Sequence, residues 1–212
     1  MSRKKLILST GNLNKVKEIK YILKDLPIDV LSKDDLGLKD LRIVENGKTL
    51  EENAIKKASI LAERVESMVV MADDSGLFVD YLNGAPGIHS ARYSGDNSND
   101  RDNNLKLLKE LKGVPIEKRE AYFRTVIALV GTNGEITTLT GECKGAIGFE
   151  PRGDKGFGYD PLFIVEGYDK TFAELGEEVK NKISHRAKAL EKLKNEISKI
   201  LEDEDNENIC SK

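Results

Sequence analysis

Asp73 and Asp74 are adjacent carboxylates that follow a short apolar run, Met68-Val69-Val70-Met71, and precede Ser75-Gly76-Leu77. Acids at the C-terminal end of a buried strand stand where ligands bind in open α/β sheets. Oxygen donors of this kind suit a hard cation such as Mg²⁺, which takes one or two carboxylates and shares substrate phosphates. The same residue types favour turns. Asp-Asp-Ser-Gly therefore reads equally well as a site or as a plain turn, and other residues must weigh on the choice.

Three further stretches carry chemistry. Ser9-Thr10-Gly11-Asn12-Leu13-Asn14-Lys15 leads out of an apolar run and into a helix start. Backbone N–H groups and the helix dipole favour an anion there, and Lys15 adds a charge. The second glycine of a Walker A loop is missing, and a helix start capped by Asn12 or Asn14 explains the same residues. Gly153-Asp154-Lys155-Gly156-Phe157-Gly158-Tyr159-Asp160-Pro161 is a glycine-spaced loop. Its glycines let backbone approach a ligand, and its aromatics offer a stacking face for a base or simply anchor the loop. Lys180, Lys182, His185 and Arg186 gather at the start of a final helix. Cations there oppose the macrodipole, and an anionic ligand would relieve that penalty. Lys56 and Lys57 are adjacent, so one can face a site while the other is solvated. Arg92 suits an anion contact or a salt bridge equally, and His89 reads as a surface or packing histidine.

The elements that must position these groups follow from periodicity. Residues 4–9 predict a first strand, and Val16, Ile19, Ile22 and Leu23 a helix that ends at Pro27. Residues 28–31 predict a second strand, and 41–44 a weak one. Thr49 with Glu52 forms a capping box for a helix whose apolar stripe is Ala54, Ala58, Leu61, Ala62 and Val65. Strands are expected over 68–71 and 77–82, on either side of the Ser-Gly turn. A helix over 100–112 is expected to bury Leu105, Leu108 and Leu111. Residues 120–130 and 136–147 form a long hairpin around Thr132-Asn133-Gly134-Glu135, expected to extend beyond the main sheet as a second lobe. A short strand over 162–165 and a helix over 184–201 complete the pattern. The fold class is α/β with a mixed sheet. The expected organisation is one two-lobed catalytic domain over 1–201 and a disordered acidic tail over 202–212.

Composition excludes several classes. At 212 residues with 39% hydrophobic and 33% charged side chains, the chain can bury a sizeable core. The net charge of −3 argues against general nucleic-acid binding, which needs a basic surface. No apolar run reaches the length of a membrane span, and Leu6-Ile7-Leu8 is too short for a signal-peptide core. The two cysteines, Cys143 and Cys210, lack metal-ligand spacing and fit a reducing compartment. Cys143 lies in an apparent strand, where a thiol acts as a small hydrophobe. A cytoplasmic location is expected.

Five segments, in this order, resemble the Ham1/inosine triphosphate pyrophosphatase family: Ser9 to Lys15, Glu52-Asn53-Ala54-Ile55-Lys56-Lys57-Ala58, Ala72 to Leu77, Phe157 to Pro161, and Ser184-His185-Arg186 with Lys180 upstream. Pro86-Gly87-Ile88-His89-Ser90-Ala91-Arg92 also fits. The resemblance implies an elongated two-lobed fold with a central substrate cleft, and a homodimer. It implies Mg²⁺-dependent hydrolysis of ITP, dITP and XTP to the monophosphate and pyrophosphate, which cleanses the nucleotide pool. By the same resemblance, Asn12 and Lys15 hold the triphosphate with support from Lys57, within a substrate-binding run Ser9, Thr10, Gly11, Asn12, Leu13, Asn14 and Lys15. Asp74 is the catalytic carboxylate and a metal ligand, assisted by Asp73. Glu45 is the second metal acid, with Glu51 and Glu52 as alternatives. Ser75 contacts substrate. Phe157 stacks on the base, and Gly158, Tyr159 and Asp160 shape its pocket. Lys180, His185 and Arg186 reach the phosphates and the purine 6-oxygen. Two other readings are a Maf-type nucleotide pyrophosphatase, which would lack the Ser-His-Arg helix start, and a nucleotide-binding module without turnover, which would not need paired acids.

Overall fold

The computed structural model describes residues 3–65 and 67–210, with side chains as far as residue 197. The elements run β1 (Lys4–Leu8), α1 (Leu13–Ile22), β2 (Ile28–Ser32), α2 (Leu50–Ala62), β3 (Val69–Val79), β4 (Pro86–Gly87), α3 (Asp100–Glu110), β5 (Glu120–Val130), β6 (Ile136–Ile147), β7 (Phe163–Val165), α4 (Phe172–Ile183) and α5 (His185–Cys210). The sheet order is β2-β1-β3-β5-β6-β7, with β4 beside β3. β1 pairs in parallel with β2 and β3, whereas β4 and β7 are antiparallel to β3 and β6. The sheet is therefore mixed, as the α/β reading requires. Parallel neighbours need crossover connections, which α1 and α2 supply. Among the described residues no helix is long and apolar enough to cross a membrane.

The chain divides into two compact units. The first contains the chain up to Asp74, the hairpin tip Val126–Thr140 and the chain from Ala189. Its core includes Leu6, Ile7 and Leu8 of β1, Val69, Val70 and Met71 of β3, and Val16, Ile19, Ala54, Ala58 and Leu61 of the crossover helices. The second contains Ser75–Thr125 and Gly141–Lys188. Its core gathers Leu77, Val79, Leu107, Phe123, Cys143, Tyr159, Phe163 and Phe172, with Phe163 stacked on Phe172. The hairpin is thus not a lobe of its own, because its tip and its base fall in different units.

Several expectations need correction. Asp73-Asp74-Ser75-Gly76 is not a turn: β3 runs unbroken through it, and Asp80–Leu82 is a 3₁₀ turn where strand was expected. Partners found in the extended conformation hold both aspartates. Gly76 is needed for close approach: a Cβ there would lie 2.4 Å from the Gly87 carbonyl oxygen on β4. Residues 41–44 form no strand. Glu52 accepts a hydrogen bond from Lys48 N–H, one residue before the cap, so Thr49 caps α2 without a reciprocal box. In α3 the buried residues are Asn103, Asn104 and Leu107, while Leu105 is exposed. Leu111 is buried and Leu108 packs against the core, as expected, so only Leu105 departs from the expected stripe.

The helix α4 was not expected at all. Thr171 and Glu174 form its full capping box, and Gly176, with φ +78°, kinks it. Lys180 and Lys182 consequently sit in the last turn of α4, where cations suit the dipole. Only His185 and Arg186 stand at the α5 start. Helix α5 extends to Cys210. The expectation of a disordered tail falls mostly on residues whose side chains, or in 211–212 whose whole structure, lie outside the description.

Candidate active site

In the first unit, the buried stripe of α2 is Leu50, Asn53, Ala54, Lys57, Ala58 and Leu61, all at helical spacing. Two polar residues on an inward face must find partners, and β3 provides them. Lys57 Nζ donates to Asp74 Oδ1 at 2.8 Å, to the Asp73 carbonyl at 2.8 Å and to Glu45 Oε2 at 3.1 Å. An ammonium has three donors, and all three are engaged. Asn53 Nδ2 donates to Asp74 Oδ2 at 3.2 Å, while its Oδ1 accepts from Gly47 N–H at 2.8 Å. Asn53 therefore ties the loop carrying Glu45 to the Asp74 carboxylate. No role was assigned to it from sequence, although its place four residues before Lys57 puts both on one face.

Two lysines, Lys15 and Lys57, face three carboxylates, Asp73, Asp74 and Glu45. Burial works against the charged form of Lys57, but Asp74, Glu45 and Asp73 together outweigh it and hold its pKa above the usual lysine range. For Asp74 burial is again the largest influence and prevails over Lys57 and Lys15, so its pKa is raised. Burial opposes ionisation of the Glu45 carboxyl too, yet Lys57 and its other partners pull its pKa down. Lys15 pairs with Asp73 at 3.0 Å. Asp73 thus answers to α1 and Asp74 to α2, as alternation along a strand requires.

The turn from β1 into α1 is built as a capped helix start. Asn12 Oδ1 accepts from the Asn14 and Lys15 N–H groups, and Thr10 Oγ1 accepts from Asn12 N–H. The group Asn12 has left for a ligand is its amide NH₂. Gly11, Asn12, Leu13 and Asn14 are exposed. Ser9 is buried and donates to the Lys57 carbonyl at 2.8 Å, so it anchors α2.

Among the described residues no three His, Cys, Asp or Glu side chains assemble into a metal-binding group. The donor chemistry nonetheless fits Mg²⁺, which keeps waters and needs only one or two carboxylates beside substrate phosphates. Asp74 and Glu45 already share one cation, the Lys57 ammonium. The two alternatives to Glu45 are engaged elsewhere: Glu52 at the α2 start and Glu51 with the Thr138 hydroxyl.

In the second unit, Ser75 donates to Thr125 Oγ1 at 2.8 Å and accepts from Arg186 Nη2 at 3.2 Å. Arg186 is 1% exposed. Asp160 Oδ2 accepts from the Phe157 N–H at 2.9 Å and from Lys180 Nζ at 2.5 Å. The Phe157 ring lies 4.2 Å from Lys180 Nζ and 5.9 Å from the Arg186 guanidinium carbon, a cation–π arrangement. Gly158 follows on the same loop. Tyr159 is buried in the unit's core and donates to the Ser90 carbonyl at 2.9 Å; burial raises its pKa. His185 stacks on Phe123 with ring centroids 4.8 Å apart. Ser184 caps α5 through the Ala187 N–H. Phe157, Asp160, Lys180, Arg186 and Ser75 therefore form one connected set, and Tyr159 and His185 are both buried in the same unit. The acid set ends at Asp74 and this set begins at Ser75, the next residue.

Comparison with known proteins identifies relatives along almost the whole chain. The family whose sequence pattern matches, over residues 6–196, is described as the Ham1 family. A dITP/XTP pyrophosphatase of Thermoanaerobacter pseudethanolicus is 54% identical over 94% of this chain and 99% of its own. The dITP/XTP pyrophosphatase of Bacillus subtilis is 50% identical over 94% and 98%. Among solved structures, a HAM1 protein from Coxiella burnetii superposes with a TM-score of 0.83 at 38% identity, covering 92% of this chain and 99% of that one.

Proposed function

Because the chain belongs to the Ham1 family, we infer that it hydrolyses deaminated purine nucleoside triphosphates (dITP, ITP and XTP) to the monophosphate and pyrophosphate. The observation that carries this reading is the buried Lys57–Asp74 pair with the half-buried Glu45 on the same ammonium, continuous in the chain with the Ser75–Arg186 set. Nucleotide binding alone would not need a buried carboxylate and a second acid with a lysine between them. The reading extends to a cytoplasmic homodimer.

Asn12 and Lys15 hold the triphosphate at the α1 start. Asp74 orients the attacking water and accepts its proton; a buried carboxyl with a raised pKa is a better base than an exposed one. Lys57 and Asn53 keep Asp74 in place. Mg²⁺ held by Asp74 and Glu45 would neutralise charge developing on the phosphates. Phe157 stacks on the base, and Lys180 and Arg186 supply donors for the 6-oxygen. Adenine carries an amino group at that position, which would leave buried donors unpaired and so be rejected.

The test is a panel of nucleoside triphosphates with Mg²⁺, scored for pyrophosphate against orthophosphate. Pyrophosphate from dITP, ITP and XTP in preference to ATP is expected. Orthophosphate as the first product rejects the reading.

A further inference from the structure

We propose that Asp100 and Asn104 of α3 are positioning residues that fix the Phe157 ring for stacking on the purine base, an inference that rests on the function proposed above. The two side chains grip one residue. Asp100 Oδ2 accepts from Gly158 N–H at 2.7 Å, and Asn104 Nδ2 donates to the Gly158 carbonyl at 2.9 Å. They stand four positions apart, hence on one face of α3. Gly158 has φ +62°, and a Cβ built there would meet nothing within 4 Å. The two hydrogen bonds from α3 hold the Gly158 backbone in this left-handed conformation from both its N–H and its carbonyl.

The consequence falls on Phe157. Its own N–H is held by Asp160 Oδ2 at 2.9 Å, and the next N–H, that of Gly158, is held by Asp100. The peptide on each side of Phe157 is thus pinned to a carboxylate. Charge-assisted bonds of this kind are stronger than neutral ones. With both peptide planes fixed, the Cα–Cβ direction of Phe157 is fixed too. Asn104 is 8% exposed, and its Oδ1 has no hydrogen-bond partner. A buried acceptor left unmatched is unfavourable. The amide is kept in that place by what its Nδ2 does for the loop, because an apolar side chain would fill the space without that cost.

The experiment is steady-state kinetics on ITP in a double-mutant cycle. Asp100 is exposed, so Asp100→Ala leaves the core intact. It should raise KM roughly tenfold with a smaller change in kcat, the effect of one charge-assisted hydrogen bond. Asp100→Asn keeps an acceptor oxygen and should restore most of the loss. Asn104→Asp, which cannot donate to a carbonyl, should behave like Asp100→Ala. In a Phe157→Ala background, Asp100→Ala should add nothing, since the residue acts only through that ring. Additive losses, or a wild-type KM in Asp100→Ala, overturn the positioning role while leaving the pyrophosphatase reading intact. A wild-type protein that releases no pyrophosphate from ITP overturns both.

Discussion

Lys57 Nζ lies 2.8 Å from Asp74 Oδ1, and each side chain is only 10% exposed. The pair separates two roles that adjoining acids often share. Asp73 places its carboxylate on Lys15, so of the two adjoining acids Asp74 is the one whose carboxylate meets the ammonium on α2, beside Glu45. Lys57→Met would keep the apolar stem and strand the carboxylate. Removing one partner of a buried pair destabilises by about 3–5 kcal/mol, and urea unfolding should show a loss towards the lower end. Adding Asp74→Asn should recover part of it. Asp74→Asn alone should abolish pyrophosphate release from ITP while nucleotide binding, measured by calorimetry, survives. An unchanged urea midpoint in Lys57→Met, or normal turnover in Asp74→Asn, contradicts these assignments.

Gly76→Ala tests why β3 continues where a turn was expected. The new methyl would fall 2.4 Å from the Gly87 carbonyl oxygen, a backbone atom that cannot swing aside. Overpacking of this sort costs about 1–3 kcal/mol. Thermal unfolding of the alanine variant should show the loss, and a wild-type transition would mean β4 shifts freely.

Cys143 is 4% exposed, and burial pushes its thiol up to about 11. A raised value means the proton stays on through neutral and mildly alkaline pH, and the thiolate is the reactive form. In a Cys210→Ser variant, an aromatic disulfide reagent at about pH 8 should leave the native protein unmodified, because the thiol lies well below half-ionised there. One thiol should react in denaturant. Rapid modification of the folded protein would show that the β6 position opens.

Much of the architecture is visible in residue patterns because the strands and crossover helices obey simple periods. Residues 120–147 read as a hairpin, and α1 and α2 read as capped amphipathic helices. The failures share a cause: a tertiary partner overrules local preference. Asp73-Asp74-Ser75-Gly76 has turn chemistry, but Lys15, Lys57 and Asn53 reach it only in an extended strand. In α3 a leucine count picks out Leu105, whereas Asn103 and Asn104 are buried because loops bring them backbone partners.

For the site, the acids and the aromatic loop stand out by residue type. By sequence Lys180 groups with the α5 start, whereas it lies in the last turn of α4. Gly176 interrupts the pattern of α4 and conceals the Thr171-x-x-Glu174 box that signals its start. Asn53 shares a helix face with Lys57 four residues on, but spacing alone does not reveal which partners it meets. Its value lies in two bonds to elements distant in the chain.

The saturated ammonium of Lys57 has one more consequence. Paired carboxylates in metal enzymes repel one another when the ion leaves, and the apo form loosens. Here a covalently tethered counter-ion already sits between Asp74 and Glu45. The Lys57 ammonium thus offsets the mutual repulsion of these two carboxylates from within the chain, with no further cation required for that purpose.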